Sequence, residues 1–259
     1  MIATVLYSLA TLIQIRSLSQ RSDLPLRLID SIAVPALIAH ALATWLLLVT
    51  PTGIDLGIWG IANLVAFVMV IFVMIMRLTL PVHSLLLFLF PLCVVSVLAA
   101  LFANTGLAPR TDLPGRLITH ILTSIAAYSI LMMAAFQSIM LATQERYLRV
   151  KHRFSLGRFL PPLETMESLL FRMLWTGFAI LTVAIASGFL FLDNMFDQRI
   201  VHHTVLSSAS WLVYVALLGG HYLFGWRGAS ASRWTLIAFT LLLLGYFGSK
   251  FVVEILLER

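Results

Sequence analysis

The feature that most constrains this chain is a series of apolar stretches, seven of them long and the first one shorter. Hydrophobic residues make up 61% of the 259 residues and charged residues only 11%, which is more apolar surface than a soluble domain can bury. A membrane span needs roughly 20 apolar residues. The sequence therefore predicts an all-α, polytopic transmembrane bundle of about eight spans. The predicted spans are Ile2–Ile15, Ile29–Val49, Leu56–Met76, Val82–Phe102, Arg116–Thr143, Leu169–Leu192, Thr204–Phe224 and Arg233–Leu256.

The first predicted span is short and ends at Arg16, whose long side chain can reach the membrane surface. It lacks the basic start and the small-residue cleavage site of a signal peptide, so we expect a retained helix. Pro35 and Pro91 lie inside spans two and four and are expected to kink them. Since no internal repeat is visible, residues 1–259 are predicted to form a single integral membrane domain.

The distribution of Lys and Arg predicts the orientation in the membrane. Of the 17 Lys and Arg residues, all but five lie in the connections after spans one, three, five and seven; the five are Arg110, Arg116, Arg199, Lys250 and Arg259. The richer side should be cytoplasmic, so both termini are predicted outside, in a multi-pass protein of the bacterial inner membrane. The basic balance then reflects topology and a lipid bilayer as partner, not nucleic acid.

The segment Glu145–Arg158 is basic, with interleaved apolar residues. It is either an interfacial helix on anionic lipid or a plain positive-inside anchor, and it could also dock a partner.

Several chemistries are disfavoured by what the sequence lacks. Cys93 is the single cysteine, so an internal disulfide and CxxC haem attachment are excluded. No span has an acidic or basic residue near its middle, which argues against an ion-coupled transporter. No GxSxG or HExxH motif is present, so a hydrolase is disfavoured. We expect no catalysis by this chain alone.

Histidines are the remaining candidates for a site. The predicted topology places His120 at the outer end of span five, and His202 and His203 at the outer end of span seven. Two histidines at equal depth on different helices are typical of a bis-His haem iron site. The alternative is that each is an amphipathic end residue bonded to water or headgroups. His40, at mid-depth, is either a satisfied helix–helix hydrogen bond or a haem ligand along an entry path.

Helical spacing predicts which way these histidines point. Small and polar residues on one face of a membrane helix usually face the protein interior. Such residues follow His120 at Ser124 and Tyr128, and they follow His203 at Ser207, Ser210, Trp211 and Tyr214. Below His202 the spacing gives Leu206, Ala209 and Val213, which suit lipid or plain packing. His203 is therefore favoured as the inward residue, with His202 as the alternative.

Five stretches of this sequence resemble one family: His120–Tyr128, Leu160–Glu167, Val201–Ser207, Gly225–Gly228 and Tyr246–Glu254. From about residue 65 to residue 256 the chain resembles the cytochrome c assembly membrane proteins, the CcsA-, ResC- and CcmC-like haem-handling family. Within it the chain is most similar to the YpjD-like inner-membrane branch, with HemX-like proteins as relatives. The resemblance implies haem handling, with other membrane or periplasmic proteins as partners.

The sequence departs from the family pattern in two places. The family's haem transporters carry a tryptophan-rich outer loop flanked by two outer histidines, but the segment from Phe189 to His203 contains no tryptophan. His120 matches the first outer histidine. The second, near the end of the last span, is missing, since that region reads Val253-Glu-Ile-Leu-Leu257. We infer that His203 could replace it from a neighbouring helix.

The expectation is therefore a non-covalent haem b site near the outer face, with His120 and His203 as axial ligands of the iron. Trp211, Tyr214 and Tyr128 are expected to line the pocket. Arg116 and Arg199 are expected to pair with the haem propionates, unless they are solvated end charges. One alternative is a structural or regulatory scaffold that kept the fold but lost haem transfer. A transmembrane electron carrier ranks last, because His40 lacks a histidine partner at its depth.

Overall fold

The computed structural model describes residues 1–20, 25–103, 109–111, 113–149, 160–191 and 201–256. These residues are almost entirely helical, which confirms the all-α prediction. The helices are α1 (Ile2–Ser19), α2 (Leu26–Leu48), α3 (Ile58–Met76), α4 (Leu86–Phe102), α5 (Gly115–Arg149), α6 (Leu163–Phe191), α7 (Val201–Phe224), α8 (Gly228–Leu243) and α9 (Ser249–Phe251). A 3-10 turn, His83–Leu85, precedes α4. Two-residue strands β1 (Val49–Thr50) and β2 (Gly53–Ile54) pair antiparallel between α2 and α3.

Seven helical segments of the described chain are long and apolar enough to cross a membrane, and α1 is a shorter apolar helix. Large apolar side chains stand exposed on the outward helix faces, among them Leu190, Leu223 and Phe224. Such a surface suits lipid, since soluble proteins rarely expose contiguous apolar area of this extent. The polytopic membrane class is thereby confirmed, while the orientation of the termini stays a prediction.

Several helices extend beyond the predicted spans, and they do so most at three polar ends. The predicted spans ended with the apolar runs, whereas backbone hydrogen bonding carries α5 to Arg149 and begins α6 at Leu163 and α8 at Gly228. The first part of the basic segment, Glu145–Arg149, is therefore a continuation of α5. Residues 150–158 of that segment lie outside the described residues.

Unit 1, the first of two compact units, comprises residues 1–112 and 153–161. In it α1 packs against α2 and α4 through a buried face of Ala3, Tyr7 and Ala10. The spacing of four and three residues keeps these side chains on one side of the helix, and the small alanines allow close approach. The opposing face of α2 is formed by Ile29, Ala33, Ala36, His40 and Thr44.

Two local contacts fix the ends of the unit 1 helices. Arg77, after α3, forms a two-point ion pair with Asp30 of α2, in which Nη2 lies 2.7 Å from Oδ2. At the other end of the helices, Ile54 of β2 bridges to Arg110. Gly53 has φ of 138°, and a Cβ there would lie 2.5 Å from the Arg110 carbonyl oxygen. Only glycine fits this hairpin without strain.

Unit 2 comprises residues 113–152 and 162–259, and it holds α5 to α9. Helix α5 is the most buried of the seven candidate spans and packs against α6 and α8. The last span is not a regular α-helix, since π turns at Leu244–Gly248 and Val252–Leu256 flank the short helix α9. The prediction of a single domain for residues 1–259 stays a prediction.

Candidate functional site

His120 lies near the start of α5 and is held by the end of α6. Its Nδ1 atom is 2.9 Å from Ser187 Oγ, and the Ser187 hydroxyl also lies 2.8 Å from the Ala184 carbonyl oxygen, to which it donates. A serine hydroxyl has a single proton. When that proton lies on the Ala184 carbonyl oxygen, Ser187 accepts a hydrogen bond from His120 Nδ1–H, and the lone pair of neutral His120 is on Nε2. A hydrogen bond of this kind orients a metal-binding histidine and fixes its tautomer.

His203, the third residue of α7, is turned into unit 2. Its ring meets the Tyr246 ring edge-on, with centroids 5.7 Å apart and planes at 78°. His203 is half-buried, whereas the neighbouring His202 is exposed. Of the two neighbouring histidines, His203 is therefore the one that faces the protein interior, as the helical spacing favoured. Whether either residue binds iron stays a prediction.

His120 and His203 line one partly open pocket in unit 2, whose cavity volume is about 50 Å³. Small-molecule sites hold about 300–1,000 Å³, so a ligand the size of a porphyrin requires this pocket to widen. The expected polar residues Ser124, Tyr128 and Ser207 line the same pocket. Its other lining residues are Leu181, Ala184, Ile185, Phe189, Thr204, Ser208 and Leu242. The Ser207 hydroxyl is buried and has no hydrogen-bond partner within the part of the chain that the structure describes, so it can serve a ligand or a water.

The remaining predicted site residues lie elsewhere. Trp211 is not a pocket-lining residue, since its Nε1–H donates to Thr182 Oγ1 at 2.9 Å and its ring stacks on Phe178. Eight residues after His203, it is rotated by about 80° around the helix axis. Tyr214 is fully buried but lies about 16 Å further along α7, below the pocket. Arg116 is exposed, and Arg199 lies outside the described residues.

Sequence reasoning missed two contacts of the pocket. Ser187, which orients His120, lies one helix away, and nothing in its sequence context marked it. Tyr246 lies in the last span, against both His203 and Tyr128, whose ring centroid is 5.6 Å away. It belongs to a stretch that carried the family resemblance, which is the signal that could have found it. Tyr246 reaches this position because the last span packs closely on α7 at Gly245, where a Cβ would lie 3.1 Å from Leu206 Cβ.

Unit 1 has a separate buried polar cluster around His40. His40 Nε2 lies 3.0 Å from Asn63 Oδ1 and Nδ1 lies 3.4 Å from the Tyr7 hydroxyl. The Asn63 carbonyl oxygen can only accept, so Nε2–H donates to it and Nδ1 is left to accept from Tyr7. Asn63 Nδ2 in turn donates to Thr44 Oγ1 at 2.9 Å. With Nε2 in a hydrogen bond of normal length and Nδ1 in a longer contact with Tyr7, the geometry favours the helix–helix hydrogen bond over the haem-ligand interpretation of His40.

These features define a polytopic helical membrane protein with two histidines facing one pocket at one end of a helical unit. The chain belongs to the cytochrome c assembly protein family, whose sequence model matches residues 5–257. It is 27% identical to the inner membrane protein YpjD of Escherichia coli (strain K12) over 259 residues, covering 99% of this chain and 98% of the relative.

Two further relatives support this placement. An uncharacterized 28.8 kDa protein from a nifR3-like 5′ region of Azospirillum brasilense is 36% identical over 211 residues, which cover 80% of this chain and 77% of the relative. Protein HemX of Brevibacillus brevis is 26% identical over 134 residues, 51% of this chain and 49% of the relative. No solved structure matches this chain significantly.

Proposed function

We propose that this chain binds haem b non-covalently between His120 and His203 and handles haem in cytochrome c assembly. The observation that carries the proposal is the convergence of two imidazoles from α5 and α7 on one pocket. A group of three or more protein metal ligands is absent among the described residues. Two histidines suffice when the porphyrin supplies the other four nitrogens to the iron. The donor set therefore fits haem better than a bare metal ion.

The residues around the two histidines are proposed to have different roles in haem binding. Ser187 holds the His120 ring and leaves Nε2 to face a ligand. Leu181, Ile185 and Leu242 provide apolar walls for a flat macrocycle. When bound, haem supplies a redox-active iron whose potential depends on its axial ligands and surroundings. Arg116, exposed at the start of α5, remains a candidate partner for a propionate.

The proposed role is haem handling rather than thioether formation. The family is that of the cytochrome c assembly proteins, but the segment from Phe189 to His203 contains no tryptophan that could present haem on an aromatic platform. The single buried cysteine provides no CxxC attachment site in this chain. We place the protein in the inner membrane with the histidine end outside, following the charge distribution.

The test is the absorption spectrum of the protein purified in mild detergent and titrated with haemin. Wild type should give the low-spin spectrum of an iron with two imidazole ligands, in both oxidation states. His120→Ala and His203→Ala should lose that spectrum. His202→Ala, which changes the exposed neighbour on the same helix, is the matched control and should keep it. A wild-type protein that stays colourless after haemin is added refutes the proposal.

A scaffold without haem is the second candidate, and the missing tryptophans favour it. In that case His120→Ala and His203→Ala would leave cellular function and partner binding intact. Complementation of a deletion strain by these two variants, beside the spectra, separates the two candidates.

A further inference from the structure

The last span carries a charged pair next to the histidine pocket. Lys250 is the last residue but one of the apolar span Gly228–Phe251, and Glu254 lies just beyond that span. Lys250 Nζ is 2.9 Å from Glu254 Oε1, and the two side chains are 24% and 4% exposed. A charged pair that is this buried at the end of a membrane span is costly unless the two charges are paired. The histidine site described above does not assign a function to Lys250 or Glu254.

We propose that Lys250 binds a carboxylate group of the haem held by His120 and His203, with Glu254 as its counter-ion when the site is empty. This inference rests on the proposed function and adds to it the group that recognises the acidic edge of the ligand.

Tyr246 connects Lys250 to the pocket. Lys250 Nζ lies 5.6 Å from the centroid of the Tyr246 ring, and His203 lies against the same ring. Tyr246 belongs to the π turn Leu244–Gly248, which interrupts the α-helix one turn before Lys250. Such turns are frequent at functional sites. The ammonium and His203 are thus two neighbours of one side chain, near enough for one ligand with an iron centre and an acidic edge.

The chemistry of the pair suits exchangeable binding of an anion. A lysine ammonium carries three N–H donors, so it can hold Glu254 and a ligand carboxylate together. Glu254 keeps the region neutral before the ligand arrives, which makes a partly buried ammonium tolerable. Arg116 is exposed, and exposed charges are screened by water and salt. Lys250 is therefore the better placed of the two cations to discriminate a carboxylate from a neutral group.

The test compares haemin with its dimethyl ester, in which both carboxylates are neutral. Dissociation constants for the two are measured by absorbance in the same detergent, and their ratio is compared between variants, which cancels differences in ligand solubility. Wild type should prefer the free acid by about tenfold or more, as for a hydrogen bond to a charged group. The double variant Lys250→Gln/Glu254→Gln removes both charges of the pair together and should lose the preference. Glu254→Gln alone should enlarge it.

The control is Arg233→Gln, which removes an exposed cation at the opposite end of the same span and should keep the wild-type ratio. If wild type binds both forms equally, or if the double variant keeps the preference, the inference is wrong while haem binding stands. Equal binding of haemin and its ester by wild type is also the result expected if Lys250 binds a phospholipid phosphate instead of haem. If the double variant does not fold, Glu254→Gln decides, and an unchanged ratio overturns the inference. If wild type binds neither form, both this inference and the proposed function fail.

Discussion

Replacing His40 with leucine tests whether the polar cluster of unit 1 packs helices or binds a ligand. His40 is fully buried, with Nε2 3.0 Å from Asn63 Oδ1 and Nδ1 3.4 Å from the Tyr7 hydroxyl. The first contact has the usual length of a hydrogen bond, and the second is beyond it. The substitution therefore removes one good hydrogen bond and one weak contact.

The expected cost follows from the partner that remains. Side-chain hydrogen bonds between membrane helices average about 0.6 kcal/mol and reach about 1.7 kcal/mol, while a buried group left unpaired costs about 1–3 kcal/mol. In His40→Leu, the Ser96 hydroxyl, which lies 3.1 Å from the Cys93 carbonyl oxygen and 3.3 Å from Asn63 Oδ1, can turn its single proton to Asn63. We therefore expect the free energy of unfolding to fall by about 1–2 kcal/mol, near the lower end of these ranges.

The double variant His40→Leu/Asn63→Leu should cost less than the sum of the two single variants, by about 1 kcal/mol. It removes the donor and the acceptor together. The hydroxyls of Thr44 and Ser96 that lose Asn63 can bond carbonyls of their own helices, and Ser96 already lies 3.1 Å from the Cys93 carbonyl oxygen. A double-mutant cycle isolates this coupling.

The assay is reversible unfolding in mixed micelles with increasing SDS, followed by circular dichroism, together with the haemin spectrum of each variant. Ile38→Leu, on the exposed face of α2, is the control for a leucine on this helix. If His40→Leu abolishes the haemin spectrum while stability stays at the wild-type value, His40 is a ligand and the packing argument is wrong. Strictly additive single effects would also contradict the hydrogen-bonded pair.

Two further pairs of substitutions test the packing and the orientation. A Cβ at Gly220 would lie 2.4 Å from the Trp226 ring, whereas a Cβ at Gly219 would meet nothing within 4 Å. Gly220→Ala should therefore lower the free energy of unfolding by about 1–3 kcal/mol, and Gly219→Ala should raise it by up to about 1 kcal/mol. Equal effects of the two variants in SDS unfolding would contradict the close contact at Gly220. Thr52 and Thr79 lie at exposed turns on either side of α3, and cysteines placed there can be labelled with a membrane-impermeant maleimide. The predicted orientation requires that Thr52→Cys is labelled in intact cells and Thr79→Cys only after lysis. The reverse pattern would overturn the predicted orientation.

The sequence predicted the class and helix order well because apolar length is a long-range signal that single residues do not disturb. It also predicted that Tyr128 lines a pocket with the two histidines. Helical spacing alone did not decide the rest, because Tyr128 and Trp211 each follow a histidine by eight residues. Tyr128 lines the pocket, whereas Trp211 is turned toward Thr182 of α6.

The last span shows why the rest of the site could not be predicted from periodicity. A π turn takes about one more residue than an α turn, so every later side chain is rotated by about 100° relative to an uninterrupted helix. The turn at Leu244–Gly248 therefore breaks the register between Leu242, which lines the pocket, and Lys250. Its packing has a local origin, since Gly245 fits against Leu206 and Ser207 of α7. A helix that must approach α7 at Gly245 and still turn Tyr246 toward His203 has a reason to leave α-helical geometry at this point. The irregular segment and the histidine pocket are thus best understood as one structural feature.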